Sequence, residues 1–242
     1  MSTPTPKPLP PAELLPHLLA TDPAAPRLTC YDDLEGPTRG ERIELSARVL
    51  DKWVSKAANV LAEHDLGPGA FVRLAVAPHW RAVYWALATW TVGAAVALDD
   101  AVADLVVTDD APVALAGGPA VLVTRASLAR RAAVEVPWDV LDDAKDLATH
   151  PDAFTALEEP TPDDPALRSI DGAVFTHDSL PVPRSVAAGA RVAAVPATTG
   201  ELLDAVRASW SAGGSLVIAV GGEPGADLRD RWSTEAVTEI WR

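Results

Sequence analysis

Residues 46–108 change hydrophobic period repeatedly, and few folds accommodate that. Leu50, Trp53, Val54, Ala57 and Leu61 recur on one face of a 3.6-residue period. Ser46 stands where an N-cap belongs, and Gly67-Pro68-Gly69 ends the run. FVRLAVA follows, apolar and too short for a helix. A second helix starts near Pro78, with Trp80, Val83, Tyr84, Leu87 and Trp90 on one face. AAVAL and DLVVTDD are again short apolar runs. Buried strands alternating with amphipathic helices indicate βαβ units. The expected fold class is α/β, a layered α/β/α architecture with a mainly parallel sheet.

The flanking segments extend this pattern. Residues 1–11 read as a flexible Pro-rich tail and 12–20 as a short helix interrupted by Pro16. RLTCYDD and GERIEL are strands joined by the turn EGPTR. AVLVT is a strand, residues 142–150 a helix, and EEPTPDDP a surface loop. In DPALRSIDGAVFTHDSL an edge strand leads to what reads as the entry to a helix. ARVAAV is a strand, and residues 201–212 are a helix with Leu202, Leu203, Val206 and Trp210 inward. SLVIAV is a buried strand, and 226–242 is partly helical. The expected organisation is one α/β domain over 12–242, with a subdomain boundary near 158–165.

Composition narrows the function classes. The net charge of −14 disfavours nucleic acid and anionic membrane surfaces as partners. Residues 82–98 carry no charge, yet Gly93 divides them, so they read as a buried helix and a strand rather than a membrane span. The one cysteine, Cys30, reads as a buried structural thiol and allows no internal disulfide. No apolar leader precedes residue 12, so a cytoplasmic location is expected.

Candidate chemistry is sparse. Asp99-Asp100 and Asp109-Asp110 follow buried strands, where paired carboxylates could hold Mg²⁺, although Asp also favours turns and caps. The five histidines show no metal-ligand or triad spacing, and His79 reads as a polar residue at a helix start. In VPATTGELL, Thr198, Thr199 and Gly200 fall at a helix N-terminus. They are the candidate ligand-binding residues, their amides and hydroxyls suiting a phosphate or carboxylate; a plain capped helix is the alternative. No Lys follows in Walker spacing. No catalytic residue, metal ligand or cofactor is assigned.

Three stretches together resemble the adenylate-forming, AMP-binding enzymes, which include acyl-CoA synthetases and adenylation domains. The segment from RLTCYDD to AAVAL is similar to their opening, DPALRSIDGAVFTHDSL resembles their D-P-A…G-V-x-x-T-H-x-N-L, and RVAAVPATTGELL…GGSLVIAV resembles a later strand–helix–strand. The likeness covers most of 28–222. It implies the large N-terminal domain of those enzymes, and resembles in particular short actinobacterial chains of this type. It also implies a phosphate loop, [ST]-S-G-[ST]-T-G-x-P-K-G, between the D-P-A strand and T-H. Here Arg168, Ser169, Ile170 and Asp171 occupy that place. The family's adenine motif and C-terminal domain would lie beyond Arg242. The resemblance therefore implies a non-catalytic, truncated form acting by binding a protein partner, a second copy, or a small acyl or nucleotide ligand. The remaining alternative is an unrelated Mg²⁺-dependent enzyme using the strand-end aspartates.

Overall fold

Ser46 caps the helix its stripe predicts, its side chain accepting a hydrogen bond from the Val49 amide. The computed structural model describes residues 9–222 and 225–241. The chain opens with α1 (Leu14–Thr21), β1 (Pro26–Asp32), β2 (Glu41–Ser46) and α2 (Ala47–Glu63). Then come β3 (Phe71–Ala75), α3 (Trp80–Thr91), β4 (Ala95–Ala97), β5 (Leu105–Thr108) and α4 (Ala111–Ala114). β6 (Ala120–Leu122), β7 (Val140–Asp142) and α5 (Asp143–Asp146) form the middle. The last part holds β8 (Pro165–Arg168), β9 (Val174–Thr176), β10 (Arg191–Ala194), α6 (Thr199–Ser211), β11 (Ser215–Val220), α7 (Ala226–Thr234) and β12 (Glu239–Ile240).

The strands make two sheets, both mainly parallel, in keeping with the expected α/β class. The first has the order β12-β10-β11-β1-β2, the second β7-β6-β5-β3-β4-β8-β9. Every pairing is parallel except the hairpins β1–β2 and β8–β9. The two-residue alternation along β11 shows how the layers stack. Leu216, Ile218 and Val220 join a large core that continues through α2, α3 and α6 to Val72, Leu74, Leu105 and Val107 of the second sheet. Val217 and Ala219 face the other way, onto Leu228 and Trp232 of α7.

α3 lies in the middle of this core. All its residues but Thr91 are buried, so the uncharged run 82–98 is a central helix and strand. Among the described residues no helix is long and apolar enough to cross a membrane. A charge pair, Arg81 and Asp143, sits inside the core with α3. Asp143 accepts from Arg81 Nη1 (2.8 Å), Trp85 Nε1 (3.1 Å) and the Tyr84 hydroxyl. The Arg81 guanidinium lies 4.5 Å from the ring centre of Trp80 and 5.7 Å from that of Trp53. This cluster fastens α5 to α3. A second cluster fastens α7 to the first sheet: Glu235 takes Arg42 Nε (2.8 Å), Arg191 and the Tyr31 hydroxyl.

Several local expectations change. Of the expected tail, residues 1–8 lie outside the described residues, while Leu9 packs on the core and Pro11 is buried in a short 3₁₀ turn. Pro16 does not interrupt α1, because it lies in the first turn, where its missing N–H has no helical partner anyway. The helix expected over 142–150 is α5 followed by a 3₁₀ turn, Leu147–Thr149. No helix begins at 176–180. Thr176 N donates to Ser179 Oγ (2.8 Å) and Ser179 N to Thr176 Oγ1 (3.2 Å), which closes a turn instead. β7, β9 and β12 span two or three residues each, too few to show a period.

Candidate functional site

Parallel strands bring their carboxyl ends to one side of a sheet, and ligands of α/β folds gather there. The aspartate pairs lie at those ends, and one member of each, Asp99 and Asp109, is already bonded. Asp99 accepts from Arg168 Nε at 2.7 Å, and Asp109 accepts from the Ala77 amide at 3.3 Å. β4 and β5 flank β3, so the two strand ends stand about two strand spacings, roughly 10 Å, apart. One Mg²⁺ cannot bridge them. No group of three or more His, Cys, Asp or Glu that could hold a metal occurs among the described residues. His79 does act at the helix start: it is the N-cap of α3, its ring accepting from Arg81 N. Burial, with Arg81 and Arg125 adding to it, pushes the His79 pKa down to about 3. Cys30 is buried, and burial raises its thiol to about 12, so it carries no thiolate at neutral pH.

The segment linking β8 to β9 is a tight hairpin. Ser169 N donates to Ala173 O (2.9 Å) and Gly172 N to Ser169 O (2.8 Å). Gly172 turns the chain at φ +85°, a conformation that other residues adopt only at a cost. The polar groups of the turn serve the turn itself. Asp171 accepts from the Ser169 hydroxyl and from Ala173 N (3.2 Å), and these bonds hold its carboxyl below the usual range. Arg168 is committed to Asp99 and to the carbonyls of Ala101 (3.3 Å) and Val102 (3.1 Å), with its guanidinium 4.5 Å from the Phe71 ring centre.

Opposite the hairpin stands α6. Thr198 caps it, its hydroxyl accepting from Glu201 N (3.2 Å), while Ala197 N donates to the Glu201 carboxylate (2.8 Å). The Thr199 hydroxyl donates to Val76 O at 2.6 Å, pinning α6 to the end of β3. A Cβ at Gly200 would lie 3.3 Å from Leu98 Cδ1, so the missing side chain allows the close approach of α6 to β4. Between hairpin and helix lies a cavity of about 370 Å³. Leu98, Leu167, Ile170, Phe175, Leu180 and Leu203 supply its apolar wall. Thr198, Thr199 and Gly200, the candidate ligand-binding residues of the sequence, are among the residues lining it. Both hydroxyls are already bonded to backbone, so the capped-helix reading holds for their side chains.

Trp90, which the sequence placed only on a helix face, and Arg207, which it left unmarked, also line the cavity. Trp90 lines the cavity and donates to Ala166 O (2.8 Å), which fixes β8 against α3. Arg207 lines it from the inward face of α6. Its signal was visible: it interrupts the apolar stripe of Leu203, Val206 and Trp210.

No protein-family model matches the chain. A curated protein of Mycobacterium tuberculosis (strain H37Rv), described as a TIGR03089 family protein, is 34% identical over 240 residues, covering 94% of this chain and 96% of that one. Among solved structures, acetoacetyl-CoA synthetase from Streptomyces lividans aligns at a TM-score of 0.73 and 18% identity over 96% of this chain and 42% of its own. The acyl-CoA synthetase of Brucella canis aligns at 0.71 and 16% identity, over 96% of this chain and 47% of its own. The N-terminal subdomain of Klebsiella oxytoca NpsA aligns at 0.61 and 18% identity, over 97% of this chain and 60% of its own. The chain thus spans 42% to 60% of these three structures. At such identities the shared property is the fold, that of the N-terminal portion of adenylate-forming enzymes.

Proposed function

This chain belongs to the TIGR03089 family, and from that premise we propose that it is a binding protein on an adenylate-forming scaffold, not an adenylating enzyme. The observation that carries this reading is the hairpin over residues 168–172. Adenylation requires donors and cations aimed at charge developing on a phosphate. The hairpin has one carboxylate, Asp171, and one cation, Arg168, which is spent on Asp99 and two carbonyls. These residues do not fit a triphosphate. Losing even one such donor typically lowers a rate about 10²–10³-fold.

The binding site in this reading is the cavity between the hairpin and α6. Its size and mostly apolar wall with a few polar groups suit a small molecule. ATP–pyrophosphate exchange, run with a panel of carboxylic acids, tests the first half of the proposal. No ATP-dependent exchange is expected, and a clear signal would overturn it. Calorimetry with ATP, AMP, CoA and fatty acids tests the second half, and absence of heat with every one removes the small-molecule reading.

Docking of a protein partner or a second copy is the other reading, favoured by Ile170 and Val182, 78% and 70% exposed, the first lining this cavity and the second a neighbouring one. Light scattering over a concentration series checks the second copy: self-association weakened by Ile170→Asp supports it, and a monomer at every concentration speaks against it.

A further inference from the structure

Arg207 is out of place energetically. It is 4% exposed, on a helix face whose neighbours Leu203, Val206 and Trp210 are apolar and buried. A buried cation is costly unless it is paired and its donors are bonded. Its Nη2 donates to Pro181 O at 2.8 Å. Nη1 reaches Asp204 Oδ1 only at 3.3 Å, and the Asp204 side chain is 53% exposed. Nε is buried without a hydrogen-bond partner among the described residues. Burial depresses the guanidinium pKa, and Asp204 offsets that only in part.

The surroundings show where a better counter-charge would come from. Arg207 lines the 370 Å³ cavity and also a neighbouring one of about 560 Å³, so it forms part of the wall between them. Along α6 it stands seven residues beyond Gly200, a distance of roughly 10 Å at the helical rise. Of the α6 residues between these two points, Leu203 and Asp204 line the cavity. At the Gly200 end the threonine hydroxyls are bonded to backbone, and the turn opposite carries the Asp171 carboxylate. The partial positive charge of the α6 N-terminus favours an anion there, but an under-paired buried guanidinium is the stronger attractor.

We propose that Arg207 anchors the head group of an amphipathic anion, a carboxylate, sulfonate or phosphate monoester on an apolar body about 10 Å long, whose far end lies at Thr198, Thr199 and Gly200. This rests on the reading of the cavity as a ligand site. It places the anion two turns along α6 rather than at the helix start.

Calorimetry with eight-carbon probes tests it: octanoate, octanesulfonate, octyl phosphate, octanol and octylamine, with inorganic phosphate as the headless control. Wild type is expected to bind at least one of the three anions about tenfold more tightly than octanol, and to bind neither octylamine nor phosphate. Arg207→Gln is expected to lose that tenfold preference while keeping octanol binding. Asp204→Asn, at a half-exposed position, removes the competing carboxylate and is expected to tighten the anion several-fold; it decides the matter should Arg207→Gln fail to fold. Equal binding of the anions and octanol by wild type, full anion affinity in Arg207→Gln, or no tightening in Asp204→Asn would overturn the assignment. Octanol binding blocked by Leu203→Trp but indifferent to Arg207 would leave the cavity standing and remove the anchor. Silence from every probe would remove both.

Discussion

Asp143 and Arg207 are both buried charges, and the difference between them is instructive. Asp143 receives three donors and is 1% exposed; it holds α3 and α5 together. Asp143→Ala is expected to cost about 3–5 kcal/mol in urea unfolding, because Arg81 would be left buried without its counter-charge. Replacing both, as Arg81→Met with Asp143→Leu, is expected to recover most of that loss. A cost for Asp143→Ala below about 1 kcal/mol would mean that the pair is not what fixes α5. In the sequence, residues 142–150 read as a helix, and Asp142 and Asp143 stand at its start. Asp142 caps α5 by accepting from Ala144 N (3.1 Å). The role of Asp143 was hidden because its three donors lie some sixty residues away in the chain. Thr198 was legible because capping is local.

At the scale of elements, long periodic segments announced themselves and short ones did not. α2, α6, β1 and β11 fell close to where their patterns put them. β9 and the turn after it were misread, because Thr-His-Asp-Ser resembles a helix entry by composition and closes on itself by hydrogen bonding. The same hairpin yields a measurable expectation. Gly172 sits at φ +85° with no heavy atom closer than 4.0 Å to an added Cβ, so Gly172→Ala meets backbone strain rather than a clash. The expected loss is about 1 kcal/mol in denaturant unfolding, with secondary structure unchanged. A stabilised Gly172→Ala protein would show that the turn is not held in this conformation in solution.

For the molecule as a whole, acid is the condition to which the fold is most exposed. His79 is neutral when folded, with a pKa of about 3, against 6.5 when unfolded. Below pH 6.5 the unfolded chain takes up a proton that the folded chain refuses. Stability is therefore lost as pH falls, by up to about 1.4 kcal/mol per unit. His177, pushed down by burial, acts in the same sense. Glu235 falls to about 2: burial opposes its charge, but Arg42, Tyr31 and Arg191 outweigh it. Its contribution is full above pH 4.5 and is lost as pH drops through 4.5 toward 2. Asp109 and Asp143, raised by burial, work the other way, so single variants must separate the groups. His79→Asn, which keeps an N-cap, is expected to flatten the urea stability profile between pH 6.5 and 4.5. Glu235→Gln is expected to leave that limb unchanged and flatten the profile below it. An unaltered slope in His79→Asn would show that this histidine is not buried neutral. The order of the first sheet has a consequence in time. β1 is complete only when β11, about 190 residues later, lies beside it, and β10 and β12 follow outward from there. During synthesis the hairpin β1–β2 must wait, half-paired, while the second sheet can already assemble. β1 is thus enclosed long after it is made, and its open edge stays exposed on the nascent chain until β11 arrives.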